Sequence, residues 1–479
     1  MAELMQHRKG NVVLQNVIWL GAGEMVSRLL MFLFLIVVAR VLGAYGYGIF
    51  AFGLSITSLV LVIAQFGIPA IFVRDAAQDQ KWERAFPAFL TLGLFSGLGA
   101  LVALAGTAFF LSGEISLRLL FLFFGGYVAA MTVLEFFFGF FRAREEMRYE
   151  AALKIFQAAM IVSLGALALW LAPTPQYLAL GYAGGAVISL MLMATIFLCR
   201  VFSLRIQIDL SLWKKALSDA WPLGMMGVFV VVYNSIDSIM LGAFGQITEV
   251  GWYNAAYRVV GAALIPAVFL GNSFLPALSK RIWSSVDSLQ ALWERQIEAA
   301  LMIGVPASIG GAMVAPGLIR ALYTPEFEPA IFALQILIWT VALTFLVSAC
   351  SYMLFVAEAQ KKSFWIAGVG AIGNVFLNIW LIPAWSLYGA AVATLVTYIV
   401  MFFLCGEAVR RYTPAHIFTA SLGKILCVVV GASGIMAAVL KLVPSSPLPF
   451  LVLLGVCTYG FAYAAIRKMI FGTSFPYTP

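Results

Sequence analysis

Charge is what this 479-residue chain has least of: Asp, Glu, Lys and Arg together make up 10% of it, where a soluble domain carries roughly a quarter. Without that polar cover a water-facing surface cannot be built. The 63% of hydrophobic residues and a mean hydropathy of +1.01 therefore place the outer surface in lipid. Histidine is nearly absent. His7 and His416 are the two in the chain, and no carboxylate or cysteine is arranged around either, which argues against His-centred catalysis or a metal site. The five cysteines, Cys199, Cys350, Cys405, Cys427 and Cys457, lie in or at the ends of apolar segments without metal-ligand spacing, and read as small buried hydrophobes with free thiols. No Gly-rich loop ending in Lys-Ser/Thr occurs, so ATP hydrolysis by this chain is not expected. No cofactor is expected either.

What is present is long apolar runs. LLMFLFLIVVA (29–39) does not alternate as a lipid-facing barrel strand must. Backbone polar groups in hydrocarbon have to be satisfied internally, which leaves a helix bundle. A crossing needs about 20 mainly apolar residues. Breaks at polar and Pro/Gly-rich positions then divide the chain into about fourteen candidates: 12–39, 46–70, 85–111, 117–141, 151–172, 177–200, 220–243, 250–278, 297–319, 330–356, 363–383, 386–409, 417–442 and 448–468. The basic stretch His7-Arg8-Lys9 leads into an apolar segment with no small-residue cleavage site, which reads as an uncleaved first helix.

The charges that remain are sorted. With the N-terminus placed inside, 22 of the 29 Lys and Arg fall in inside loops, and four (Arg40, Arg118, Arg320, Lys441) in outside ones. Arg28, Arg258 and Lys424 lie within spans. That alternation follows the positive-inside rule and puts both termini in the cytoplasm. The net charge of +8 is thus topological, and no nucleic-acid partner is expected.

A weak duplication runs through the chain. LG at 42–43, GIF at 48–50 and PAIFVR at 69–74 recur in order as LG at 241–242, GWY at 251–253 and PALSKR at 276–281. The recurrence lies six helices on, so both halves share an orientation. This predicts two six-helix lobes, 1–203 and 204–411, related by a parallel repeat around a central cavity, with a two-helix C-terminal appendage at 412–479.

Three segments carry a family resemblance. GNVFLNIWLIPAWSLYGAAVATLVTY (373–398), ARVLGAYGYGIFAF (39–52), and DSIMLGAF followed by GWYNAAYRV (237–259) resemble bacterial polysaccharide flippases. Those belong to the multidrug/oligosaccharidyl-lipid/polysaccharide exporter superfamily, and the likeness extends over residues 11–410. It implies that fold, and a flippase that carries polyprenyl-diphosphate-linked oligosaccharide from the cytoplasmic to the outer leaflet by alternating access. It further implies a place in the bacterial inner membrane, membrane lipid as surroundings and association with polysaccharide polymerase machinery. Two alternatives share the fold, a multidrug–cation antiporter and a lipid II flippase, since Ser27-Arg28 resembles the Ser-Arg of lipid II flippases. A membrane glycosyltransferase or ligase, a different class, would need a large outer loop, and the outer loops expected here are short.

Ionisable groups within spans are costly and tend to face protein or a cavity. Glu24 and Arg28, four apart, share a helix face in the favourable order. At ~1.5 Å per residue Arg28 lies about 18 Å from Arg40, which predicts the outer half of the membrane. Asp237 and Arg258 are expected at matching depth on adjacent helices. Each pair reads either as a structural bridge or as an arginine held ready for substrate. Two arginines suit a diphosphate, because the guanidinium fork binds phosphate oxygens bidentately. Tyr233, Asn234 and Tyr257 could contact sugars or simply pack. Glu24, Asp237 and Glu135 are the charge partners or ion-coupling candidates, with a sodium or proton gradient as the driving force. Glu135 also reads as a snorkelling carboxylate, and Asn374 with Asn378 as interhelical glue.

Overall fold

Two apolar segments are too long to be single crossings. In the computed structural model, which describes residues 2–78, 84–111, 115–200, 205–282, 286–416, 419–443 and 446–471, α1 covers Ala2–Gln65 and α13 covers Gln360–Tyr412. The side chains of residues 2–18, including His7, Arg8 and Lys9, lie outside the described residues. A straight helix of 64 residues would measure about 96 Å, three times a hydrocarbon core of about 30 Å. Instead the chain turns at Gly43, where φ is +68°, a conformation glycine enters without a Cβ penalty. Phe34 and Phe50 both lie against the ring of Tyr182, with centroids 6.4 and 5.2 Å away. Sixteen helical residues would hold them about 24 Å apart, so α1 folds back on itself.

The reversal in α13 is sharper. Ser386 sits at φ +51°, and its Oγ donates to Gln246 Oε1 at 2.8 Å. A Cβ on Gly389 would come within 2.1 Å of the Leu381 carbonyl oxygen, so only glycine fits there. Gly370 meets Met401, and Asn374 donates to Thr397 at 3.2 Å. These pairs close symmetrically about the turn, and the two halves run antiparallel.

Between these lie α2 (Ile68–Gln78), α3 (Phe86–Leu111), α4 (Ile115–Ala143), α5 (Met147–Leu171), α6 (Pro175–Arg200), α7 (Leu210–Ala243), α8 (Ile247–Ala263), α9 (Ile265–Arg281), α10 (Val286–Leu322), α11 (Ala330–Leu337) and α12 (Trp339–Val356); α14 (Ala420–Leu442) and α15 (Leu448–Phe471) follow α13. Among the described residues there is no strand, and twelve segments are long and apolar enough to cross a membrane. The protein is a multi-span, all-helical membrane protein. The sequence led us to expect fourteen spans; of the twelve segments seen, Trp19–Gln78 and Gln360–Tyr412 each contain a reversal.

Helix ends follow local rules. Asp209 caps α7, its Oδ1 accepting from the backbone N–H of Ser211 and Leu212 at 3.1 and 3.0 Å and from the Ser211 hydroxyl; these bonds hold its carboxyl below the usual range. The α7 C-terminus closes with the N–H of Gln246 on the Leu241 carbonyl and that of Gly245 on Gly242, with Gly245 at φ +77°, the Schellman arrangement. Where α11 breaks into α12, Ser308 of α10 substitutes for helix bonds. Its Oγ donates to the Ile338 carbonyl at 2.9 Å and accepts from the Ala342 N–H at 3.2 Å, which satisfies backbone groups that lipid could not.

The helices gather into two compact units, Met1–Ile239 and Met240–Pro479. In the first, Phe86, Phe140 and Phe197 pin α3, α4 and α6 with centroids 4.6–5.2 Å apart. In the second, α14 and α15 dock on α10. Tyr463 donates to Glu298 at 2.8 Å, Arg467 pairs with Glu298 at 3.2 Å, and Thr419 donates to Glu294 at 2.9 Å. Of the five cysteines, expected to be buried, Cys350 and Cys405 are; Cys199, Cys427 and Cys457 are exposed on apolar helices, where lipid is their natural surrounding.

Candidate functional site: an ion-pair chain across three helices

Gly23 decides how closely α1 and α5 approach. A Cβ there would lie 2.7 and 2.8 Å from Ala151 Cβ and Cα, so the two backbones are in contact, as small residues allow between membrane helices. The charged neighbours of that contact meet. Arg28 Nε donates to Glu24 Oε1 at 2.8 Å. Lys154 Nζ donates to the other Glu24 oxygen at 3.4 Å and lies 3.1 Å from Glu150 Oε1. Arg142 Nε donates to both Glu150 oxygens at 2.9 and 3.0 Å, and its Nη2 to Glu135.

The six side chains alternate in sign, Arg28–Glu24–Lys154–Glu150–Arg142–Glu135, across α1, α5 and α4. Three cations match three carboxylates, so the chain is formally neutral. Exposure is lowest in its middle: the Arg28 side chain is 59% accessible, Lys154 22%, Glu150 fully buried, and Arg142 and Glu135 26% each. A lone buried carboxylate would be severely penalised; Glu150 is held by two cations. Lys154 also rests over the Phe138 ring at 5.6 Å, a cation–π contact that limits where its ammonium can go.

Glu24, Arg28 and Glu135 were candidates from sequence, and the structure joins them. Arg142, Glu150 and Lys154 were not; the sequence had placed two of them among loop cations. One expectation is corrected. Arg28 was placed in the outer half of the membrane, yet its partner Glu24 reaches Lys154, seven residues from the start of α5 at Met147. The pair thus lies near the α4–α5 turn, which by the positive-inside reading is the cytoplasmic end. The earlier distance was measured to Arg40, whereas the helix runs on to the break at Gly43.

Asp237 is fully buried on α7, and one turn earlier Asn234 donates to the Val230 carbonyl of its own helix at 2.8 Å. Tyr233 beside it is half-buried. Tyr257 of α8 stacks on Tyr253 with centroids 5.8 Å apart and planes 13° from parallel, and Arg258 next to it is half-buried. Asn374 and Asn378 are fully buried and bonded to each other at 3.0 Å. Together with Thr397 they tie the halves of α13, the role expected of them. A recess of about 650 Å³ is lined by Arg74, Asp75, Asp209 and Lys215. Arg74 is engaged there by Asp75 and by Asp219 of α7, each at 2.8 Å. Among the described residues no three His, Cys, Asp or Glu side chains converge as metal ligands.

Residues 13–281, more than half of the chain, match the family described as "Polysaccharide biosynthesis protein". The chain belongs to that family. Two curated relatives come from Haloferax volcanii. "Probable flippase AglR" is 24% identical over 244 residues, 49% of this chain and 51% of its own length. "Probable low-salt glycan biosynthesis flippase Agl15" is 23% identical, over 49% and 50%. The chain spans about half the length of the curated relatives it matches. Among solved structures, a lipid II flippase MurJ in an inward closed conformation superimposes with a TM-score of 0.77 at 14% identity, covering 95% of this chain and 99% of that one. An inward-facing MATE family multidrug transporter gives 0.64 at 14% identity, with 83% and 98% covered. These likenesses show that the chain has the fold of those two structures.

Proposed function

We propose that this polysaccharide biosynthesis family member is a flippase that moves a polyprenyl-diphosphate-linked oligosaccharide from the inner to the outer leaflet of the cytoplasmic membrane by alternating access. The transport is secondary, without ATP hydrolysis, and draws on a sodium or proton gradient or on removal of substrate outside. Fourteen crossings with both termini inside, two six-helix lobes and a C-terminal helix pair complete the proposal. So does association with a polysaccharide polymerase. The relatives' printed functions, flippases and one of glycan biosynthesis, support the substrate class. Because both come from Haloferax volcanii, the bacterial setting is a further proposal.

One observation carries the reading: Arg28 keeps 59% of its side chain accessible on an apolar helix while its partner Glu24 is shared with a second cation. A purely structural bridge has no need of that second cation. In this reading Arg28 and Arg258 take the diphosphate, while Tyr233, Asn234 and Tyr257 contact sugars. Glu24, Asp237 and Glu135 serve as charge partners or the coupling site. A multidrug–cation antiporter would keep a carboxylate free of cations in its cavity, whereas Glu24 here carries two. The test is Arg28→Ala in the native host. We expect loss of surface glycan with lipid-linked glycan accumulating in the inner leaflet at normal protein level. Unchanged export would overturn the reading.

A further inference from the structure

Glu24 has two cationic partners, one on each carboxylate oxygen: Arg28 at 2.8 Å on Oε1 and Lys154 at 3.4 Å on Oε2. An anion approaching the exposed guanidinium must compete with Glu24 for it. If Glu24 had no other partner, drawing Arg28 away would strand a carboxylate in a lipid-enclosed bundle, a heavy penalty set against binding. Lys154 removes that obstacle. With Arg28 turned outward, Glu24 keeps Lys154, Glu150 keeps Arg142 at 2.9 Å, and Glu135 keeps Arg142 as well. Every carboxylate of the chain retains a cation, and only Arg28 is released.

We propose that Lys154 is a positioning residue for anion binding: it holds Glu24 while the Arg28 guanidinium turns to the phosphate of the substrate. The inference rests on the flippase reading above for the identity of the anion. Its geometry explains three features together. Gly23 leaves no room for a Cβ against Ala151, which brings α5 within reach of Glu24. Lys154 sits between two carboxylates, Glu24 and Glu150, at 3.4 and 3.1 Å. Phe138 backs the ammonium at 5.6 Å, keeping it beside them when the charge balance changes.

The experiment measures binding of farnesyl diphosphate, a short polyprenyl diphosphate, to the purified full-length protein in lipid nanodiscs. Thermal stability of each variant is followed alongside. Parent protein should bind, and Arg28→Ala should lose binding. Lys154→Gln should bind about tenfold more weakly, the factor that 1.4 kcal/mol represents, because Glu24 then has Arg28 alone. Lys154→Arg should bind as the parent does. Glu24→Gln should bind at least as tightly as the parent. Glu24→Gln/Lys154→Gln should recover the affinity that Lys154→Gln loses, since a neutral amide in place of the Glu24 carboxylate no longer competes for Arg28. If Lys154 serves only the buried Glu150, rescue comes instead from Glu150→Gln/Lys154→Gln, and the proposal falls. It also falls if Lys154→Gln binds like the parent, or if Glu24→Gln weakens binding tenfold. These outcomes leave the flippase reading intact so long as Arg28→Ala abolishes binding. Absence of binding by the parent itself overturns both.

Discussion

An ionic cluster and a neutral one hold helices together in this protein, by opposite means. In unit Met1–Ile239 the link is ionic: six alternating charges across α1, α4 and α5, one end of them 59% accessible. In unit Met240–Pro479 it is neutral: Asn378 on Asn374, Asn374 on Thr397, and Tyr253 sharing a hydrogen bond with Thr394 at 3.1 Å, with both asparagines fully buried. Neutral amides bond to one another at modest gain and leave no charge over for a ligand. An ionic chain is expensive to assemble and holds more than packing requires, because its terminal charge stays available. A polar cluster sealed on all sides is glue; one with an accessible charge at its end is a candidate for binding.

The comparison can be broken most severely at Arg142, which serves two carboxylates. Arg142→Ala leaves the buried Glu150 with Lys154 alone and removes the Glu135 contact, and removal of one member of a buried pair costs about 3–5 kcal/mol. Little folded protein should be recovered from membranes, and Arg142→Ala/Glu150→Gln should restore part of it; normal yield from the single variant would show that the chain is not structurally coupled. Gly23→Leu comes next. Overpacking costs typically about 1–3 kcal/mol, and here it also drives α5 from α1. A short bifunctional thiol reagent on Glu24→Cys with Lys154→Cys should bridge the helices readily with Gly23 in place and poorly alongside Gly23→Leu; equal bridging would place the helices farther apart than described. The smallest effect belongs to the neutral cluster. Asn374→Ala should lower stability by about 0.6–2 kcal/mol in a denaturation titration and leave diphosphate binding unchanged; a tenfold loss of binding would make this cluster a site as well.

Much of this was legible beforehand because it follows the chain locally. Apolar runs located the helices, and i, i+4 spacing paired Glu24 with Arg28 and Asn374 with Asn378. The gap between the candidate spans 12–39 and 46–70 took in Gly43, where the turn lies. Ser386 was less readable: Pro383 signalled a break, but serine is not a residue that advertises positive φ. What spacing along the chain does not contain is which helix lies beside which. Lys154 was counted with the loop cations that set orientation, yet it lies within α5, where a charge asks for a partner. A signal existed. Glu150 and Lys154 are four apart in the same acid-before-base order as Glu24 and Arg28, and near-terminal placement masked it.

The meeting of Phe34 and Phe50 on Tyr182 has a consequence for biosynthesis. The reversal of α1 leaves the ribosome before the ring that both its arms rest on, which is encoded 132 residues after Phe50. At translation rates of about 5–20 residues per second, that ring follows by roughly 7–26 s. Through that interval the leading hairpin resides in the bilayer or the insertion machinery without its aromatic keystone, and its final packing is set by the arrival of α6.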